Sequence, residues 1–315
     1  MNILITGGSG YLGRNLAIKL SKNNKVVLGS RNNALNQIAS NETVCESTPL
    51  DVTNINSVID ALNKYKPDIV IHAAATKFVD LSEKFPLECT DVNVLGSMNI
   101  ARACIDSGTQ IVVGISTDKT APPIGNIYGL SKAIMERVFC SLNNENQTKF
   151  TCVRFGNIAW STGSVFPIWK NMMETKNLIE STGPNMRRFF FTVDDAVNLV
   201  ISSIDNIDKI NGKILTLKMK SAKISDILNI WCNYYKTKWI EIEKRKGDKI
   251  DEFLIGENEI EHTYETKINN KDYYIIDFYN TFKNNLNESI SSLNAEKLSN
   301  EEIMNLISIN NKVNE

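Results

Sequence analysis

Histidine is scarce: the chain has two, His72 and His262, in 315 residues, too few for a multi-histidine metal site. The six cysteines (Cys45, Cys89, Cys104, Cys140, Cys152 and Cys232) are scattered and never fall in a Cys-x-x-Cys spacing. Neither a zinc site nor a disulfide framework is therefore expected, and free thiols suit a reducing compartment. Excess charge of either sign is also missing, with 35 basic against 36 acidic residues and a net charge of -1. That balance gives no electrostatic reason to bind nucleic acid or an anionic membrane. No apolar run reaches the roughly 18 residues of a membrane span. The chain opens directly on a strand-like run, leaving no room for a signal peptide. A soluble, cytoplasmic protein without a metal is expected. At 42% hydrophobic and 23% charged, its composition is that of an ordinary globular protein.

What is present is an alternation of strand-like and helix-like segments. Residues 2–6 (NILIT) are apolar, and GGSGYLG follows at once, with Gly7, Gly10 and Gly13 in a G-x-x-G-x-x-G spacing. Leu12, Leu16 and Leu20 then recur at one-turn intervals. A strand, a glycine turn and a helix amino terminus together cradle a dinucleotide pyrophosphate. Gly7, Ser9, Gly10, Tyr11, Leu12 and Gly13 are the candidate contacts. The second strand, 25–28, ends in Gly29-Ser30-Arg31, where an acid would bind the ribose 2′-hydroxyl of NAD. No acid stands there. Ser30 and Arg31 suit a 2′-phosphate instead, so NADP is expected in preference to NAD. A third strand over 48–52 brings Asp51 and Val52 to the adenine, and Asp51 equally suits capping a helix over 53–65. Residues 68–72 (DIVIH) form a fourth strand, and Ala73, Ala74 and Ala75 after it allow close approach of the diphosphate. His72, inside that apolar strand, reads as packed and hydrogen-bonded. A long helix over 87–107 turns Val92, Leu95, Ile100 and Cys104 inward, with Asn93 placed to hold backbone or cofactor.

The densest polar chemistry lies in 116–132, STDKTAPPIGNIYGLSK, between an apolar strand and a helix-like pattern. Tyr128 and Lys132 are one helical turn apart on one face. A phenol with pKa near 10 serves as a base near neutrality when a lysine and a nicotinium stabilise its phenolate. Ser116 or Thr117 would hydrogen-bond the same substrate oxygen. Asp118 and Lys119 add an acid and a base that simple alcohol oxidation does not need. They suit elimination beside a newly formed ketone, which acidifies the neighbouring C–H. Further on, Arg245 to Lys249 is either an anion clamp or a solvated charge run, and the tail from Ala295 carries a short amphipathic helix. The fold class expected is α/β, a Rossmann-type doubly wound parallel sheet with a smaller α+β lobe. Residues 1–156 form the cofactor core, with a return at about 186–217, and 157–315 mainly the substrate lobe and tail.

These segments resemble the extended short-chain dehydrogenases, specifically the inverting UDP-N-acetylglucosamine 4,6-dehydratases (5-epimerising) of polysaccharide biosynthesis. The resemblance rests on Ser116 to Lys119, Tyr128 to Lys132, HAAATK (72–77), PLE (86–88), Arg154 to Asn157, GSVFP (163–167), Arg188-Phe189, Arg245 to Glu252 and SLNAEKLSNEEI (292–303). It implies that Tyr128, with Thr117 and Lys132, deprotonates O4 while the C4 hydride passes to a tightly bound, regenerated NADP. Lys119, in its neutral form, removes the C5 proton, and Asp118 protonates the leaving C6 hydroxyl. Lys77, Asn157, Val165, Arg188, Arg245 and Glu252 fall at substrate-binding positions. The implied partner is a sugar nucleotide, UDP-linked, and the implied assembly a homodimer or higher homo-oligomer. A sugar-nucleotide epimerase or 4-keto reductase, or a non-catalytic NADP-binding protein, are the alternative readings. The sequence departs from the family at Phe78 to Asp80, at Thr162, at Lys246, and by one extra residue near Gly125.

Overall fold

Apolar runs rich in Ile, Val and Leu build the centre, because a parallel strand covered by helices on both faces has no solvent side to keep polar. The computed structural model describes residues 1–144, 147–243 and 249–309. Strands β1 (Asn2–Thr6), β2 (Lys25–Ser30), β3 (Glu46–Pro49) and β4 (Ile69–His72) alternate with helices α1 (Tyr11–Leu20), α2 (Asn33–Thr43) and α3 (Ile55–Tyr65). Next come α4 (Val79–Lys84), α5 (Pro86–Thr90), a π-helical turn at Asp91–Leu95, α6 (Gly96–Ser107), β5 (Ile111–Ile115), α7 (Ile127–Ser141) and β6 (Lys149–Arg154). The chain continues through β7 (Asn157–Ile158), α8 (Val165–Lys176), β8 (Leu178–Thr182), β9 (Arg187–Phe191), α9 (Val193–Asp205), α10 (Ile207–Ile210) and β10 (Ile214–Leu217). It closes with β11 (Ser221–Lys223), α11 (Ile224–Tyr235), β12 (Lys238–Ile242), β13 (Phe253–Ile255), β14 (Thr263–Ile268), β15 (Lys271–Ile276), β16 (Ile290–Ser291) and α12 (Asn300–Ser308).

The large sheet has nine strands in the order β14-β15-β10-β6-β5-β4-β1-β2-β3. Pairing is parallel from β3 across to β10, and β15 then runs antiparallel to β10. The order reverses between β1 and β4, which opens a crevice at the strands' carboxyl ends. This is the doubly wound α/β fold expected from the sequence. No described helix is long and apolar enough to cross a membrane.

A second apolar cluster, outside the large sheet, is built from Trp160, Phe166, Trp169, Phe190 and Trp231, joined by Leu306 and Ile307 of α12. Ring centroids of Phe166 lie 5.6 Å from Trp160 and from Trp231 and 5.8 Å from Phe190, within the range where aromatic pairs attract. The Trp160 indole donates to the Leu306 carbonyl at 2.8 Å, tying the last helix to this lobe. The hairpin β14–β15 belongs to the large sheet, so the chain returns there after the lobe as well as at β10, whereas β9 pairs with β7 and β11 in a separate three-stranded sheet.

Local differences from the sequence reading have physical causes. β3 stops at Pro49, Asn54 is the N-cap of α3, and Asp51 accepts from the Thr53 amide (3.0 Å) and hydroxyl (2.8 Å). The helix expected over 87–107 is interrupted by the π turn, whose extra residue shifts the helical phase. Leu95 is consequently exposed, while Val92, Ile100 and Cys104 are buried.

Candidate active site

A cleft of about 550 Å³ follows the carboxyl ends of β1, β2, β4, β5 and β6. Its floor is the glycine turn. Gly7 has φ +67°, and a Cβ there would lie 2.7 Å from the Ala74 amide nitrogen. A Cβ on Gly13 would lie 2.7 Å from the Gly8 main chain, so α1 packs on the turn only because both are glycine. Gly10, the N-cap of α1, makes no side-chain cap, which leaves the helix amides to face the cleft. Ser9, Tyr11, Leu12, Ser30, Arg31, Val52 and Ala73 to Ala75 also line it. Asp51 is not among the lining residues. Asn36, which sequence reasoning missed, fixes the end of β2 by donating to the carbonyls of Ser30 (2.8 Å) and Thr48 (3.2 Å).

His72 is fully buried, and its hydrogen bonds determine its tautomer. Ser97 donates to the Asn93 carbonyl, so it accepts from His72 Nε2 (3.0 Å), and Nδ1 accepts from the Thr6 hydroxyl at 2.8 Å. Burial first, and then Lys132, pulls its pKa down to about 3. It is a packed, neutral histidine, as the sequence suggested. Asn93, in the π turn, accepts from the Thr76 amide (2.8 Å) and donates to the Thr76 carbonyl (3.0 Å) and Ser131 (2.9 Å). It holds the backbone entering the Lys77 loop.

The segment after β5 brings the catalytic candidates together. The buried Asp118 carboxylate accepts from Lys119 Nζ at 2.9 Å and from the Thr117 hydroxyl at 3.1 Å, while its Oδ2 has no hydrogen-bond partner among the described residues. Lys119 Nζ also lies 3.9 Å from Glu252. Burial pulls the Lys119 pKa down, but Asp118 and Glu252 outweigh it and hold the amine above its ordinary value despite Arg188. The neutral lysine expected from the resemblance is therefore not the resting state. Asn126 caps α7, accepting from the Gly129 amide at 2.7 Å, and the Tyr128 phenol on its first turn faces the Thr117 side chain. The extra residue near Gly125 thus leaves the phenol facing the loop. Burial pushes that phenol up to about 12, with Lys119 and Thr117 opposing. Lys132 is buried, its Nζ lies 3.1 Å from Met135 Sδ, and burial lowers its pKa to about 8. Lys119 is thus a cation that opposes the rise of the phenol, beside Lys132, the lysine to which the sequence pointed. Ser116 lines the cleft but commits its hydroxyl to Glu136 at 2.6 Å, so Thr117 is the hydroxyl beside Tyr128.

Of the substrate candidates, Lys77 and Asn157 line the cleft. Lys77 Nζ donates to the Thr162 carbonyl at 2.6 Å, and the Phe78 ring covers Gly163, where a Cβ would lie 2.3 Å from it. The family departures at Phe78 and Thr162 therefore meet across one edge of the cleft. Val165, the first residue of α8, is not among the lining residues. The Arg188 guanidinium is held by the carbonyls of Arg187 (2.8 Å) and Lys249 (2.9 Å), with Nε 4.0 Å from Glu252. Arg245 lies outside the described residues.

The family model for polysaccharide biosynthesis proteins matches residues 3–276. The inverting UDP-N-acetylglucosamine 4,6-dehydratase of Campylobacter jejuni is 33% identical over 285 residues, covering 87% of this chain and 82% of that protein. The X-ray structure of Pen from Bacillus thuringiensis superimposes with a TM-score of 0.90 at 28% identity, covering 99% of this chain and 98% of that one. DesIV, a dTDP-glucose 4,6-dehydratase from Streptomyces venezuelae solved with NAD and TYD bound, shares the fold. Its TM-score is 0.71 at 18% identity, over 79% of this chain and 87% of that one. With the family model running from β1 to the end of β15 and the cleft chemistry lying inside that span, the chain belongs to the polysaccharide biosynthesis protein family.

Proposed function

We propose that the protein is a sugar-nucleotide 4,6-dehydratase acting on UDP-N-acetylglucosamine with inversion at C5. The observation that carries it is the Asp118–Lys119 pair, in contact at 2.9 Å beside Tyr128. A nicotinamide dinucleotide fits the residues present: the Gly7–Gly13 cradle for its pyrophosphate, and the buried Lys132 ammonium for its ribose hydroxyls. When bound, it supplies a hydride acceptor at C4 and a hydride donor at C6. Tyr128 takes the O4 proton, with Thr117 orienting the same oxygen. Lys119 takes the C5 proton, and Asp118 gives one to the C6 hydroxyl, which leaves as water. C5 then receives a proton from the opposite face.

Resting Lys119 and Asp118 form an ion pair, which is the state that elimination produces. The reactive state is its tautomer, amine and carboxylic acid, reached by moving one proton along the 2.9 Å contact. A sugar that excludes water from the cleft favours that neutral form, because a buried ion pair keeps its desolvation cost. Incubation with UDP-N-acetylglucosamine in D2O gives a 4-keto product that has lost water and carries deuterium at C5. A sugar recovered with neither change refutes the reading.

We further propose NADP as the form bound. Arg31 stands at the cleft edge after β2 with no carboxylate in the NAD position, its Nη2 3.9 Å from Glu88. Arg31→Ala is expected to weaken NADP on the order of tenfold relative to NAD, as loss of a charge-assisted phosphate contact does. Equal affinities in the unmodified protein refute it.

A further inference from the structure

We propose that Glu136 is a positioning residue that locks the loop bearing Thr117, Asp118 and Lys119 to the helix bearing Tyr128 and Lys132. The inference deepens the dehydratase reading and rests on it only for its kinetic arm. Glu136 is 1% exposed and lies four residues after Lys132 and eight after Tyr128, on the same face of α7. Its Oε1 accepts from Ser116 Oγ at 2.6 Å, Arg154 Nε at 3.0 Å and Thr120 Oγ1 at 3.1 Å. Ser116 and Thr120 immediately flank Thr117, Asp118 and Lys119, and of this run Ser116, Thr117 and Lys119 line the cleft. One carboxylate oxygen on the Tyr128 helix therefore reaches both ends of the loop.

The carboxylate is itself oriented from behind. Arg154, fully buried, donates Nη2 to Glu136 Oε2 at 2.8 Å. It also donates Nη2 and Nη1 to the two Glu259 oxygens, each at 2.8 Å, and Nη1 to the Leu254 carbonyl at 2.9 Å. Glu259 closes the set by accepting from the Gly256 amide at 2.9 Å. A buried ionic set is seldom more stable than an apolar one of the same volume. What it provides here is an acceptor of fixed direction that meets donors from β5's end, the loop and β6. The Thr120 hydroxyl has one proton for two acceptors, Glu136 and the Thr117 carbonyl at 2.7 Å. Ser116 therefore makes the firmer clamp. The spacing between the Asp118–Lys119 pair and the Tyr128–Lys132 pair then follows from Glu136.

The test is the double variant Ser116→Ala, Thr120→Val, which removes both clamps and leaves Glu136, Arg154 and Glu259 paired. Hydrogen exchange of the purified protein without substrate is expected to quicken on the order of tenfold across 117–121, with β6 and α7 unchanged. Loop exchange that does not change overturns the proposal. Exchange that quickens equally in β6 and α7 also overturns it, since the set would then be general core. With UDP-N-acetylglucosamine, kcat is expected to fall on the order of tenfold at unchanged KM. The near-ultraviolet absorbance of reduced nicotinamide should rise during turnover, because elimination lags oxidation. Thr120→Ser, which keeps both hydroxyls, should behave as wild type. A loosened loop with full kcat overturns the proposal. If the unmodified protein removes no water from the sugar nucleotide, the dehydratase reading fails and the exchange experiment alone decides this one.

Discussion

Replacing Lys132 by Met is expected to make the ligand-free protein more stable while abolishing turnover. The lysine is 2% exposed, with its Nζ 3.1 Å from a thioether sulfur. Burial lowers its pKa from 10.5 to about 8, opposed by Cys152, Glu136 and Cys89. A fall of that size corresponds to about 3 kcal/mol of folding free energy lost at pH 7, where the unfolded lysine is charged at no cost. Removing the cation also takes a favourable neighbour from Glu136, so a net gain of about 2 kcal/mol is expected. Urea unfolding of nucleotide-stripped protein measures it. Because the folded pKa is the lower one, the unfolded chain holds more protons between about pH 8 and 10.5. The lysine's penalty is therefore full below pH 8 and fades as pH rises through that window. The advantage of the variant should shrink to nearly nothing by pH 10.5. A variant less stable than wild type at pH 7, or a difference that ignores pH, refutes the reasoning. Such a trade of stability for chemistry is common where a charge is buried for use.

Tyr128→Phe should lower kcat by roughly 10²–10⁴ with dinucleotide affinity intact by equilibrium dialysis; turnover within tenfold of wild type removes Tyr128 as the base. Gly13→Ala puts a Cβ 2.7 Å from main-chain atoms of Gly8, which have no side-chain freedom to yield. It should lower the melting temperature and weaken dinucleotide binding on the order of tenfold or more, read by calorimetry. A variant with wild-type affinity shows that α1 can lift freely. Arg154→Met leaves the Glu136 and Glu259 carboxylates buried without their cation, which should cost about 3–5 kcal/mol in urea unfolding. A loss below about 1 kcal/mol means that water reaches the set.

The parts of the site that depend on spacing within one segment were legible in the sequence. Gly7, Gly10 and Gly13 mark a turn whose main chain must be approached closely, and Tyr128 with Lys132 mark one helical face. Groups whose meaning depends on distant partners were not legible. Glu136 and Arg154 are 18 residues apart, and Arg154 and Glu259 are 105 apart. Nothing local distinguishes such charges from solvated ones, although the step of four from Lys132 to Glu136 was there to be read. Protonation states were equally hidden. Lys119 is held charged first by the adjacent Asp118 and then by Glu252, a residue 133 positions later that only the folded lobe brings within 3.9 Å. The β14–β15 hairpin, with its polar Asn269-Asn270 turn, gave no sign that it pairs onto β10, because edge pairing is decided by what the neighbouring strand leaves open.

The π turn at Asp91–Leu95 acts as a phase shifter in an otherwise continuous rod. One residue of α-helix is about 100° of rotation, so the surplus residue turns everything upstream through about that angle. Cys89 and Asn93 thereby both come to Ser131, at 3.6 Å and 2.9 Å, and Asn93 also grips Thr76. Ironed into a regular helix by deletion of a single residue, the same side chains would present a different face to α7 and release the loop that carries Lys77. For this element, the number of residues matters as much as their identity.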